Sequence, residues 1–222
     1  MAEVPMITIT GSTVPAAWES TNVQVWSYGM TEMLTGLGKP TKESSVLILI
    51  ENPGEDPRIH KHFKDNISDL VVDLVEFFSP IFTTTCETSL KLLVEKPNTK
   101  VVYVNTELCH WSSRLKSMWL RLTDTMLSMN THWTYQDGFI HAFNDLYVTT
   151  YLHRLLALKL SEQLDREITL GRYIAFVDSY YIPGDSFTEI ANFLNWIKIT
   201  KFNDRVLPEV FFKEITQLDL KL

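Results

Sequence analysis

Cys109 is followed by His110 and, five positions on, by Arg114. Neighbouring cations lower a thiol's pKa and populate the thiolate, the form that attacks carbon. That spacing makes Cys109 a candidate nucleophile. The competing reading is a small buried hydrophobe on a strand, the commonest fate of a free cysteine. The other thiol, Cys86, sits beside Thr83-Thr84-Thr85 ahead of a predicted helix and reads as structural. His60 and His62 flank Lys61, with Asp65 following. On a strand that step would put both imidazoles on one face, as a metal needs. No third ligand accompanies them, and solvated loop histidines are the simpler reading. Asp69, Asp73 and Glu76 form an acidic helix face. Arg121 is spaced to pair with Asp124 at the surface. Trp111, Trp119, Trp133 and Tyr135 are core material by default.

The elements that must position these groups are legible from periodicity. Met6 to Thr10 alternates and is β-branched, hence a strand, and Val14 to Leu34 carries helical spacing. The aliphatic run Ser45 to Glu51 predicts a strand buried on both faces. Helices are expected over Asn66 to Phe78 and Thr84 to Glu95, the second stopped by Pro97. Lys100 to Asn105 and Leu115 to Leu122 read as strands. Ala142 to Leu164 is the strongest helix, and Asn144 near its start suits an N-cap. A strand over Gly171 to Tyr181 and a helix over Phe187 to Ile197 follow, with no element expected from Lys201 onward. This order gives an α/β (α+β) sandwich in a single domain, 1–222.

Composition narrows the class. The chain has 222 residues, enough for one sizeable core, with 45% hydrophobic and 21% charged residues. The 27 acidic residues outweigh 20 basic ones, for a formal charge of -7. Such a chain repels phosphate backbones at long range, which disfavours non-specific nucleic-acid binding. Two cysteines make no disulfide framework and point to a reducing, cytoplasmic setting. Met1 to Pro15 lacks the basic and apolar regions of a signal peptide, and the apolar runs are too short to span a bilayer.

Four segments, in order, resemble the thymidylate synthase and pyrimidine nucleotide hydroxymethylase family. They are Ile7-Thr8-Ile9-Thr10-Gly11 with Ala17-Trp18-Glu19; Ile50-Glu51-Asn52-Pro53 with Asp56-Pro57-Arg58-Ile59-His60; Lys96-Pro97-Asn98-Thr99-Lys100-Val101-Val102; and Arg121-Leu122-Thr123-Asp124 with Phe143-Asn144 and Val177-Asp178-Ser179-Tyr180-Tyr181-Ile182. The last three pieces look like the family's R-S-x-D, F-N and D-S-x-H-I-Y segments.

The resemblance implies a mixed sheet with helices packed on it and a sheet-mediated homodimer. It implies binding of a pyrimidine nucleoside monophosphate and C5 methyl or hydroxymethyl transfer from methylenetetrahydrofolate. Cys109, in Leu108-Cys109-His110, would attack C6 of the base. Arg121, Arg58 and Lys100 would hold phosphate, the fork of an arginine suiting paired oxygens. Asp124 would brace Arg121. Asn144 would read the base edge, Tyr181 would stand at a sugar-holding position, and Glu76 would relay protons. Four positions depart from the pattern: Lys100 and Val101 replace paired arginines, Tyr181 a histidine, and Pro183 a tyrosine. Met129 to Gly138 reads as an insertion. A catalytically degenerate scaffold for a nucleotide, RNA or protein is therefore the alternative.

Overall fold

Strand β1 (Met6–Gly11) enters the sheet and hands the chain to helix α1 (Val14–Tyr28) through Ser12-Thr13. Pro15, in the first turn of α1, has no N–H to leave unpaired there. The helix lies close on the strand: a Cβ on Gly11 would sit 2.6 Å from Ala17 Cα, so only glycine admits this approach. Strand β2 (Met30–Met33) follows Gly29, and β3 (Pro40–Ile50) returns parallel to β1. Helices α2 (Ile67–Phe77) and α3 (Pro80–Glu95) precede β4 (Val101–Val104). Then come β5 (Leu115–Leu122), β6 (Met126–Asp137), α4 (Ala142–Leu164), β7 (Thr169–Pro183) and α5 (Phe187–Ile199). The computed structural model describes residues 3–33, 39–54, 58–77, 80–96, 101–106 and 114–207.

The seven strands among these residues form one mixed sheet, ordered β1-β3-β7-β6-β5-β4, with β2 on β3. β1 and β3 pair parallel, as do β6 and β7, so α1 and α4 are the crossovers. All five helices gather on one face. α1 packs on β1 and β3, α4 on β6 and β7, and α2 and α3 lean on α4. Phe193 of α5 meets Trp18 of α1 at 5.2 Å. Among the described residues, no helix is long and apolar enough to cross a membrane.

Among the described residues, the other face carries no helix. One row runs Tyr103, Trp119, Asn130, Ile174, Leu49, Thr10 across six strands; the next runs Ser117, His132, Phe176, Leu47, Thr8. Tyr103 and Trp119 are exposed with rings 5.0 Å apart, whereas Leu47, Leu49, Ile174 and Phe176 are half-buried. β3 therefore buries Val46, Ile48 and Ile50 on the helical face alone, not both faces as expected.

A line of irregularities crosses the sheet. The register shifts between Ser44 and Val46 of β3 and between Leu115 and Ser117 of β5. On β6 and β7 between them, the buried series changes phase, from Trp133 to Gln136 and from Val177 to Tyr180. Beyond this line each strand turns a new set of side chains inward.

Several element expectations are corrected. Helix α1 stops at Tyr28, because Gly29 ends it and the next four residues pair along the β3 edge. Met129 to Gly138, to which no element was assigned from sequence, is nearly all β6, flanked by β5 and β7, with Leu127, Met129, Thr131 and Trp133 buried. Buried Thr131 interrupts the apolar side of that alternation. Cys86 lies within α3, buried. A short 3-10 turn over Phe202–Asp204 and a bridge from Val206 to His60 order the chain after Lys201.

Candidate functional site

The turn from β6 into α4 is fixed from two sides. Asp137 Oδ1 accepts the N–H groups of Phe139 and Ile140 at 3.2 and 3.1 Å. Gly138 O accepts from Trp18 Nε1 and the Tyr180 hydroxyl, each at 2.9 Å. This turn sets the first turn of α4 against the inward side chains of β6 beyond the phase change.

Three polar groups converge there. Asp145 Oδ2 accepts from Arg114 Nη1 at 2.8 Å and from Gln136 Nε2 at 3.0 Å. Next along the helix, Asn144 Nδ2 donates to Asp73 Oδ2 of α2 at 2.8 Å. Gln136 and Asp145 are almost wholly buried, and Asn144 is 6% exposed. Burial pushes the Asp145 carboxyl up to about 7, with nearby Asp73 adding to the rise and Arg114 opposing it. Asp145 also lies in the first turn of α4, where the helix dipole favours negative charge.

The cluster is rich in unspent hydrogen-bonding capacity. Gln136 Oε1, Asn144 Oδ1 and Thr134 Oγ1 are buried with no hydrogen-bond partner among the described residues. Orphaned buried acceptors are rare because each forfeits its bond to water. Three of them fall within one short stretch of β6 and α4; the other such atoms, on Thr13, Asn22, Ser44 and His153, lie elsewhere among the described residues. Arg114 also opposes a rise at Tyr181, whose hydroxyl is pushed up by burial and by Asp137 and Tyr135. The guanidinium thus acts on both sides of this sheet end. Tyr135 and Ile140 are exposed at its rim.

Other residues singled out from sequence fall elsewhere. Arg121 pairs in register with Ser128 near the start of β6, whereas Tyr181 pairs with Asp137 at its end. At ~3.3 Å per residue the two positions are about 30 Å apart along the strand. Arg121 is exposed on the open face, and no ion pair joins it to Asp124 among the described residues, so neither the bracing nor the surface pair is formed. Arg58 Nη2 donates to Asn203 Oδ1 at 3.3 Å, on the side of the fold occupied by the last described residues. Asn144 is not the N-cap, a position held by His141; it sits three residues in. Cys109, His110, Trp111 and Lys100, and the Glu76 side chain, lie outside the described residues.

His60 and His62 are not solvated loop histidines: His60 is fully buried and His62 half-buried. Among the described residues no three His, Cys, Asp or Glu side chains are grouped to hold a metal. His60 Nδ1 accepts the His62 N–H at 3.1 Å, so Nε2 carries the proton and donates to Glu19 Oε1 at 2.8 Å. Arg205 grips the same carboxylate with Nε at 2.7 Å and Nη2 at 2.8 Å. Burial alone would raise Glu19, but the bonds from His60 and Arg205 prevail and hold it below its ordinary value. This buried clamp ties Arg205 to α1.

Sequence reading missed Arg114, Gln136 and Asp145 as a unit. One signal was available: Asn144 and Asp145 are adjacent polar residues flanked by Ala142-Phe143 and Leu146-Tyr147-Val148 at the start of the strongest helix. No protein-family model matches this chain, and no curated protein sequence matches it.

Proposed function

We propose that this chain binds a pyrimidine nucleoside monophosphate at the α4 end of β6 and β7, and transfers a methyl or hydroxymethyl group to C5 of the base. The observation that carries this reading is the buried Arg114–Asp145–Gln136–Asn144 cluster with its unpartnered oxygens. Asn144, the amide that the family resemblance assigns to the base edge, stands within it. Asp145 titrates near 7, so it can take up or release a proton at neutral pH, as substitution at C5 requires. Cys109 belongs to the stretch 107–113 that ends at Arg114 in sequence. Its thiolate would add to C6, pushing electron density to C5.

Exposed Tyr135 and Ile140, with half-buried Tyr181 beside them, fit the flat apolar surface that the pterin of methylenetetrahydrofolate needs. That donor supplies the one-carbon unit. Arg121 takes no part in this site within one chain. The open sheet face, with Tyr103, Trp119, Ile174 and Phe176, supports a homodimer in which the same patch meets itself.

The enzyme reading is tested with Cys109→Ser. Turnover should vanish while nucleotide binding persists; full activity in the variant removes the proposal. A second reading, a degenerate nucleotide-binding scaffold, is favoured by the distance of Arg121 from the cluster and the commitment of Arg114 to Asp145. It predicts no one-carbon transfer to dUMP, dCMP or CMP.

A further inference from the structure

On its open face β7 carries one charge of each sign, placed symmetrically about Ala175 with apolar side chains between them. From this pattern we propose that a second copy of this chain packs on that face about a two-fold axis crossing the strands at Ala175, so that Arg172 of each chain pairs with Asp178 of the partner subunit. This rests on the homodimer reading above, not on nucleotide binding, and names the axis and the contacts that select it.

Successive residues of a strand point to opposite faces. Gly171, Tyr173, Ala175 and Val177 are buried under the helices, so Arg172, Ile174, Phe176 and Asp178 take the open side. In order they run cation, apolar, apolar, anion. Strand register carries the same centre across the sheet, since Ile48 of β3 and Thr131 of β6 both pair with Ala175. Leu49 pairs with Ile174 and Leu47 with Phe176, which makes a half-buried apolar block astride that line.

Both charges are placed to meet another molecule. At ~3.3 Å per residue they stand about 20 Å apart, too far to pair within one chain. The Arg172 side chain is exposed, with no ion pair or hydrogen bond among the described residues. Asp178 is about half exposed; its Oδ2 takes the His132 Nε2 contact at 3.0 Å, and Oδ1 has no partner among the described residues.

A two-fold contact sets one patch against itself. Sheets stacked face to face keep their strands roughly aligned, so the axis runs either along the strands or across them. An axis along β7 sets Arg172 against the partner's Arg172 and Asp178 against the partner's Asp178, and like charges in contact oppose docking. An axis across the strands at Ala175 reverses β7 on itself. Ile174 then meets the partner's Phe176, and Arg172 meets the partner's Asp178 at both ends of the apolar block. Charge complementarity selects the second arrangement.

Sedimentation velocity on the full chain supplies the test. Arg172→Glu and Asp178→Arg each turn two attractive contacts into two repulsive ones, so each variant alone should dimerise at least about a hundredfold more weakly than wild type. Mixed in equal amounts, the two should form a heterodimer within about tenfold of wild-type affinity. In it the introduced glutamate faces the introduced arginine, and the native Arg172 and Asp178 that remain face each other. A wild-type monomer at tens of micromolar would sink the homodimer reading and this inference together. A wild-type dimer that either variant retains, or that their mixture fails to restore, would overturn the axis and leave the homodimer reading standing. Circular dichroism checks that the variants fold. Should either fail to fold, salt decides: a tenfold rise in NaCl should weaken the wild-type dimer several-fold, and a dimer indifferent to salt would overturn the pairing.

Discussion

Arg114 and Asp145 meet at 2.8 Å across the end of the sheet, the arginine at the start of β5 and the carboxylate in the first turn of α4. The arginine side chain is 20% exposed and the carboxylate 1%. One partner of a buried pair rarely tolerates loss of the other, because the remaining charge is left without compensation. Asp145, already near 7, then takes up a proton, so Arg114→Ala should lower stability by about 1–3 kcal/mol in urea denaturation, the cost of an unsatisfied buried polar group. The double variant Arg114→Leu with Asp145→Leu should recover most of that loss. Additive losses in the double variant would mean that the pair is not coupled.

Titration of Asp145 should be visible in the pH dependence of stability. Its folded carboxyl sits near 7 against an ordinary 3.8, so the native state holds a proton that the unfolded chain releases in between. The resulting stabilisation is full below pH 4 and is lost as pH rises through 7. Buried His153, lowered to about 4 by desolvation, contributes the opposite way: its stabilisation is present above 6.5 and is lost on acidification. Comparing wild type with Asp145→Asn isolates the carboxyl. The wild-type advantage should fall between pH 4 and 7, by at most about 1.4 kcal/mol per pH unit. A flat difference would contradict the raised value.

The Glu19–Arg205 clamp is a fold feature and should behave as one. Arg205→Met strands a buried carboxylate and removes donors to the Ile197 and Thr200 carbonyls at the end of α5. A loss of about 3 kcal/mol is expected. Nucleotide affinity of the folded fraction should stay unchanged; a parallel loss of binding would tie the clamp to the site.

The open sheet face should mediate self-association. Phe176→Asp, in the middle of that face, and Trp119→Asp, on β5, should each turn a dimer into a monomer in sedimentation velocity. Circular dichroism should remain native, since both side chains lie away from the helices. A wild-type monomer at tens of micromolar would dismiss the dimer.

Local order was largely written in the sequence. The span Leu115 to Leu122 and the helix Ala142 to Leu164 follow from hydrophobic period, and Pro183 closes the strand before it, because such signals act over a few residues; Gly29, by contrast, is read through. The mixed sheet with helices packed on it was legible at the same level. Where a polar residue took a place on the buried side of the period, as Thr131 does in β6, a central strand was missed. The site was beyond reach for a different reason. Asn144 was noticed, but its partner Asp73 lies 71 residues away, and Asp145 meets Arg114 across 31. Strand register placed Arg121 far from Tyr181, and the phase change near Trp133 turned Gln136 inward. Short-range propensity decides which residues form a strand or helix. Only packing of the whole chain decides which buried carboxylate faces which amide, and so which atoms are left without a partner among the described residues.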